Sequence, residues 1–223
     1  MLRSESRIPS GWVVSNRTTY DRERIADLGI LASGLVCAIA ASGVLMAEAL
    51  ARGEPRLSAG VGVYAIGLVA TLGCSLLYRS ATDPGVRRFF RRLDHAAIFA
   101  MIAGSSTPFA LARGGSRGAI VAAALWTFAA FGIVVKLRFP IGSVRRSAMI
   151  YLMLGWLSLL AVGSAISGHT VALIAIGGAF YSTGIPFLLW WRRLPYRLAI
   201  WHSFVLAGAA CHYWAILTGV VLA

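Results

Sequence analysis

The chain has 223 residues, of which 58% are hydrophobic and only 13% charged, with 24 Gly and 7 Trp. Soluble domains carry about a quarter of their residues as charges, so this chain cannot clothe a water-facing surface, and its apolar content excludes disorder. It lacks a collagen-like glycine period, and its three cysteines, Cys37, Cys74 and Cys211, all lie inside apolar runs, which excludes a disulfide framework and leaves a polytopic membrane protein.

Residues 1–24 hold Arg3, Arg7, Arg17, Arg22 and Arg24 without an apolar run. That predicts a basic cytoplasmic N-terminal arm with no cleaved signal, followed by a transmembrane domain over 25–223. Crossing a ~30 Å hydrocarbon layer takes about 20 residues of low charge. Seven stretches qualify, at 25–50, 57–78, 93–112, 118–135, 148–167, 171–191 and 199–223. Each is longer than a barrel strand and apolar on all sides, so each is predicted to be a helix whose backbone satisfies itself in lipid. The expected fold class is an all-α membrane protein, a seven-transmembrane-helix bundle. The connections are too short for a separate soluble domain, no internal repeat argues for a transporter, and oligomeric state is left open.

Lys and Arg number 21 against 8 acidic residues, and Lys136 is the only Lys. Allotted to alternate sides of the membrane, 17 basic residues fall with the N-terminus and four on the opposite side. The positive-inside rule then places the N-terminus in the cytoplasm and the C-terminus outside, in the plasma (inner) membrane. Basic loops at an anionic leaflet account for the +13 charge without nucleic acid, so the partners expected are membrane lipids.

Ionisable groups within such spans need a physical reason, because each costs at least ~2.5–3.5 kcal/mol near the membrane centre. Asp27 and Glu48, near the two ends of the first span, read as snorkelling end residues. Asp94 and His95 open the third span after Arg87, Arg88, Arg91 and Arg92, where a carboxylate would be favoured by the helix dipole. His169 falls in an outer turn. His202 lies one turn into the seventh span, and His212 about 15 Å deeper, where it is expected to hydrogen-bond between helices. Ser75 and Arg79, four apart, share a helix face and, by depth, a layer with Asp94 and His202.

Residues 104–108, Gly-Ser-Ser-Thr-Pro, either line a cavity with Ser105, Ser106 and Thr107 or use those hydroxyls to re-satisfy carbonyls near Pro108; the second reading is favoured. Trp12, Trp190, Trp191, Trp201 and Trp214 fall near predicted interfaces, as an aromatic belt would. No dinucleotide, P-loop or serine-hydrolase signature is present.

The stretch Arg92-Leu-Asp-His-Ala-Ala-Ile98, followed by Ile102-Ala-Gly-Ser-Ser-Thr-Pro-Phe109, resembles the haemolysin III family of the progestin and adipoQ receptor (PAQR) superfamily. So do Tyr151-Leu-Met-Leu-Gly-Trp156, Gly177-Gly-Ala-Phe-Tyr181 with Gly184, and Ile200-Trp-His-Ser-Phe-Val205 leading to His212. The resemblance implies seven helices, a cytoplasmic N-terminus and, where the site is intact, a zinc ion. Its pattern is Ser-x-x-x-His ending the second helix, Asp opening the third and His-x-x-x-His opening the seventh, with a further His near the start of the first. Related ceramidases use such a site to cleave lipid amides, with zinc lowering the pKa of a bound water to about 7.

This sequence keeps Ser75, Asp94 and His202, but has Arg79 and Leu198 at the two paired histidine positions and no His near Leu28 and Gly29. A guanidinium repels a divalent cation. Arg79 is therefore expected to take the metal's place and pair with Asp94, Ser75 and His202 completing a polar cluster, with no cofactor. The alternative is zinc on His202 and Asp94 with His95 as a stand-in; Ser75 and Asp94 would be catalytic only in an active hydrolase. The function expected is membrane or lipid homeostasis through the bundle cavity, with an incomplete zinc site that disfavours hydrolase activity. Zinc-dependent lipid amide hydrolysis and pore formation are the alternatives, and a pore would need oligomers because so few intramembrane charges offer no ion pathway.

Overall fold

The computed structural model describes residues 10–139, 142–163, 166–191 and 193–223, without the side chains of residues 10–20 and 113. The expectations for Arg3, Arg7 and Arg192, and for the side chains of Trp12 and Arg17, lie outside the described residues. Helices α1 (Ser10–Ala51), α2 (Pro55–Ser80), α3 (Pro84–Arg113), α4 (Gly115–Arg138), α5 (Val144–Gly163), α6 (Gly168–Leu189) and α7 (Arg197–Ile216) follow one another, and a π-helical turn over Leu217–Val221 prolongs α7. Among the described residues, seven helices are long and apolar enough to cross a membrane. This is the expected all-α bundle of an integral, multi-pass membrane protein.

Most helix ends lie within a few residues of the apolar runs, but two depart. Helix α1 starts at Ser10, well before residue 25, so the later part of the basic arm is helical. Helix α3 starts at Pro84 and not at residue 93: the Asp83 carboxylate accepts from the backbone N–H groups of Gly85 and Val86, both at 2.8 Å, with Pro84 at the first helical position. Asp94 is thus three turns inside α3, and the helix-dipole argument applied to it belongs to Asp83.

Helix α3 is the hub. It packs along α2 and α4 and also touches α5 and α7, while α6 lies along α7 and α1 against α2 and α7. One apolar core joins Leu31 and Leu45 of α1, Val61 and Leu72 of α2, Phe109 of α3 and Ile216 of α7; a second gathers Phe99, Leu125 and Leu154 between α3, α4 and α5. The outward faces are apolar as well, with Ile66, Phe131 and Leu160 among the most exposed residues, as lipid contact requires.

With no hydrophobic drive between helices inside lipid, association depends on close backbone approach. Gly177 of α6 and Gly208 of α7 cross so closely that a Cβ on either would stand 3.0 Å from the other's carbonyl oxygen. On α2, a Cβ at Gly60 would stand 3.0 Å from the Pro108 Cα, a main-chain atom that cannot step aside. Gly60→Ala is therefore expected to cost about 1–3 kcal/mol by wedging α2 from α3. Thermal unfolding in detergent checks this against Gly73→Ala, where the added Cβ meets open space.

The hydroxyls beside Pro108 serve both readings in part: they bond carbonyls one turn back in their own helix, though not that of Gly104, which the proline frees, and Ser105 also lines a cavity. Ser105 and Ser106 donate to the Ile102 carbonyl (3.0 and 3.3 Å) and Thr107 to that of Ala103 (2.8 Å), while Thr107 also accepts from Trp126 Nε1 at 3.1 Å, tying α3 to α4. Trp190, Trp191 and Trp214 are exposed, but Trp201 lines an internal cavity and is no belt residue.

Candidate functional site

The site lies at the arginine-rich end of the bundle, where α2 finishes and α1, α3 and α7 each contribute an early turn of their spans. Asp27 is its centre. This residue is 4% exposed, and its carboxylate takes two cationic or donor partners: His202 Nδ1 donates to Oδ1 at 2.5 Å, and Arg79 Nε stands 3.6 Å from Oδ2. The reading of Asp27 as a snorkelling end residue is thereby overturned. Glu48, in contrast, is exposed as an end residue should be.

Arg79 accordingly does not pair with Asp94 as the sequence suggested. Its guanidinium is shared between Asp27 and the face of Tyr78, whose ring centroid lies 5.1 Å away and which Arg87 covers from 5.0 Å. Asp94 is held instead by Ser75, whose hydroxyl donates to its Oδ1. The four residues grouped by depth therefore do meet in one layer, but as two units. One joins α1, α2 and α7 through Asp27, Arg79 and His202; the other joins α2 to α3 through Ser75 and Asp94.

The other histidines lie around this layer. His95 lines the internal cavity and is tied to Tyr151, whose hydroxyl donates to the His95 carbonyl at 2.8 Å and stands 3.4 Å from its ring Nδ1. His212 interacts with the main chain of Ile174 on α6, in keeping with a bond between helices, and its ring meets Tyr181 edge-on at 5.6 Å and fills the space beside Gly177, while its buried Nε2 has no hydrogen-bond partner among the described residues. His169 is exposed in the first turn of α6.

Beside Asp94 opens a cavity of about 450 Å³. Its inner part is lined by apolar residues such as Leu68, Ile98, Met101 and Leu159, and its polar end by Ser75, Arg79, Arg91, Asp94, Arg197 and His202. Leu198 also lines it, one turn before His202 on the same face of α7.

This donor set does not fit the zinc ion that the family resemblance implies. Of the two positions where that pattern puts paired histidines, one is a guanidinium already engaged by Asp27 and the other, Leu198, offers no ligand atom. Among the described residues no group of three or more His, Cys, Asp or Glu side chains converges as metal ligands would. What remains is a carboxylate with its own internal cation, next to an apolar chamber.

Residues 30–213 match the family described as Haemolysin-III related. The chain belongs to the haemolysin III family. It is 33% identical over 208 residues to Hemolysin-3 of Bacillus cereus, covering 92% of this chain and 94% of that protein. It is 34% identical over 159 residues to the Hemolysin-3 homolog of Bacillus subtilis (strain 168), covering 70% and 74%. The human Monocyte to macrophage differentiation factor is 28% identical over 158 residues, covering 70% and 66%.

The residue that sequence reasoning misses is Asp27. Its signal is depth: it sits about as far into the apolar run that starts at residue 25 as His202 into the run that starts at residue 199, which a reading of it as an isolated helix-end charge overlooks.

Proposed function

We propose that this haemolysin III family protein takes a membrane lipid into its cavity and serves membrane lipid homeostasis without a catalytic zinc ion, its arginine-rich end facing the cytoplasm. The observation that carries the reading is the closed set of Asp27, Arg79 and His202, in which a fixed guanidinium balances the carboxylate where the family pattern calls for a metal. A hydrolase of that pattern would need three protein ligands and an open fourth position for water, and here two ligand positions hold Arg79 and Leu198. The chamber supports a lipid ligand by its size and chemistry, since small-molecule sites of this volume are mostly apolar with a few convergent polar groups.

The test is native mass spectrometry of protein released gently from its membrane, set beside Gly155→Trp. Gly155 lines the cavity and a Cβ there meets open space, so an indole at that position fills the chamber without pressing on the backbone. The wild type is expected to carry a bound lipid and the variant to lose it while keeping its thermal stability within about 1 kcal/mol. Equal lipid occupancy in both, or metal-dependent release of fatty acid from a ceramide by the wild type, would refute the reading.

A further inference from the structure

Arginines at this end of the bundle differ in setting: Arg24, Arg87 and Arg92 are half-buried away from the cavity, and each donates to a main-chain carbonyl. Arg88, Arg138, Arg145, Arg146 and Arg193 are exposed, as the positive-inside rule alone would leave them. Arg79, Arg91 and Arg197 are instead half-buried and, from α2, α3 and α7, line the same end of the cavity. Withdrawing a guanidinium from water costs free energy unless an anion answers it.

The anions at hand do not suffice. Asp27 is engaged by Arg79 and His202, and Asp94, the one carboxylate among the described residues that lines the cavity, accepts from the neutral Ser75 hydroxyl and leaves a single negative charge to answer both Arg91 and Arg197. Arg197 makes a single hydrogen bond among the described residues, from Nη1 to the Leu188 carbonyl at 3.2 Å. Arg91 has neither an ion pair nor a hydrogen bond to any of the described residues. Two guanidiniums therefore flank an apolar chamber with their donor forks largely unspent.

Resting on the reading that the cavity holds a lipid, we infer that its ligand is a single-chain amphiphile with an anionic head, a carboxylate or a phosphate. The head is held by Arg91 and Arg197 and the chain runs inward past Leu68 and Met101. Planar guanidinium groups suit either oxyanion, because both present paired oxygens to a fork of N–H donors. A neutral head would leave the two arginines with Asp94 as the one carboxylate between them and bind more weakly.

The experiment measures saturable binding of four probes with one acyl or alkyl chain, to full-length protein in a non-ionic detergent. The probes are oleate, oleoyl lysophosphatidate, oleyl alcohol and oleylamine. Wild-type protein is expected to bind an anionic probe about ten times tighter than the alcohol or the amine, as a charge-assisted hydrogen bond supplies. That preference is expected to vanish in Arg91→Gln/Arg197→Gln and to survive in part in Arg91→Lys, which keeps the charge. Preference for oleate points to free fatty acids as the source and preference for lysophosphatidate to phospholipids; both support the inference.

Equal binding of all four probes by the wild type, with loss of all four in Gly155→Trp, overturns the anionic head while leaving the lipid cavity standing. An anionic preference unchanged in the double variant overturns the assignment to these two arginines. Failure of every probe to bind saturably overturns the cavity reading and this inference together. Thermal unfolding of each variant separates lost contacts from lost folding.

Discussion

Asp27→Asn is expected to lower stability by about 3–5 kcal/mol, the range found when one partner of a buried ion pair is removed. The asparagine keeps the shape and removes the charge, so the Arg79 guanidinium loses its ion-pair partner and the His202 Nδ1–H its charged acceptor. Three helices, α1, α2 and α7, would then meet over an uncompensated cation. For a chain of this length each kcal/mol moves the melting temperature by about 2–4 °C, which predicts a drop of roughly 6–20 °C. Tryptophan fluorescence during thermal unfolding in detergent measures it. Glu48→Gln is the comparison, because that carboxylate is exposed and its loss should change stability by about 0.5 kcal/mol or less. A shift at Asp27 no larger than at Glu48 would show that the triad is held by the surrounding packing and not by its charge.

The fold was largely legible because a bilayer leaves the backbone few choices. Apolar runs of sufficient length had to be helices, and their number fixed the architecture. Helix ends were less legible where a helix extends beyond its apolar run. The first three turns of α3 carry Arg87, Arg88, Arg91 and Arg92 and so look like a loop to a hydropathy argument, although Asp83 followed by Pro84 is a recognisable helix start.

Within the site, the layer shared by Ser75, Arg79, Asp94 and His202 could be read from helix direction and residue depth alone. The pairing inside that layer could not, because it depends on which helices are neighbours. Asp27 reaches His202 only because α1 packs against α7, and it draws Arg79 away from Asp94 because α1 also packs against α2. Both contacts join segments far apart in the chain, and no local pattern specifies them. The retained residues carry a similar lesson: Ser75, Asp94 and His202 fit the family pattern as types, whereas their partners have been rearranged around a guanidinium.

Restoring the two missing imidazoles with Arg79→His and Leu198→His is expected to raise bound zinc from well below one to about one ion per chain. Position 198 is one turn before His202 on the cavity face of α7, and position 79 is one turn after Ser75 on α2, so the new side chains start from the layer that His202 occupies. Removing the guanidinium also removes the charge that repels a divalent cation. His202 offers its second nitrogen to a metal, since its Nδ1–H is fixed on Asp27 and Nε2 is the ring atom left for ligation. Asp27 would then act behind the ligand and not on the metal. Adding Asp27→Asn to the double variant should therefore weaken zinc binding by roughly 10–100-fold without changing the stoichiometry at saturation. Elemental mass spectrometry gives the first result and competition with a chelator the second. A double variant that takes up no zinc would mean that the bundle around Asp27 has closed beyond what two side chains can reopen. Stoichiometric zinc in the wild type, lost on His202→Ala, would mean instead that the chain assembles a metal centre from other ligands, and lipid amide hydrolysis would replace lipid binding as its function.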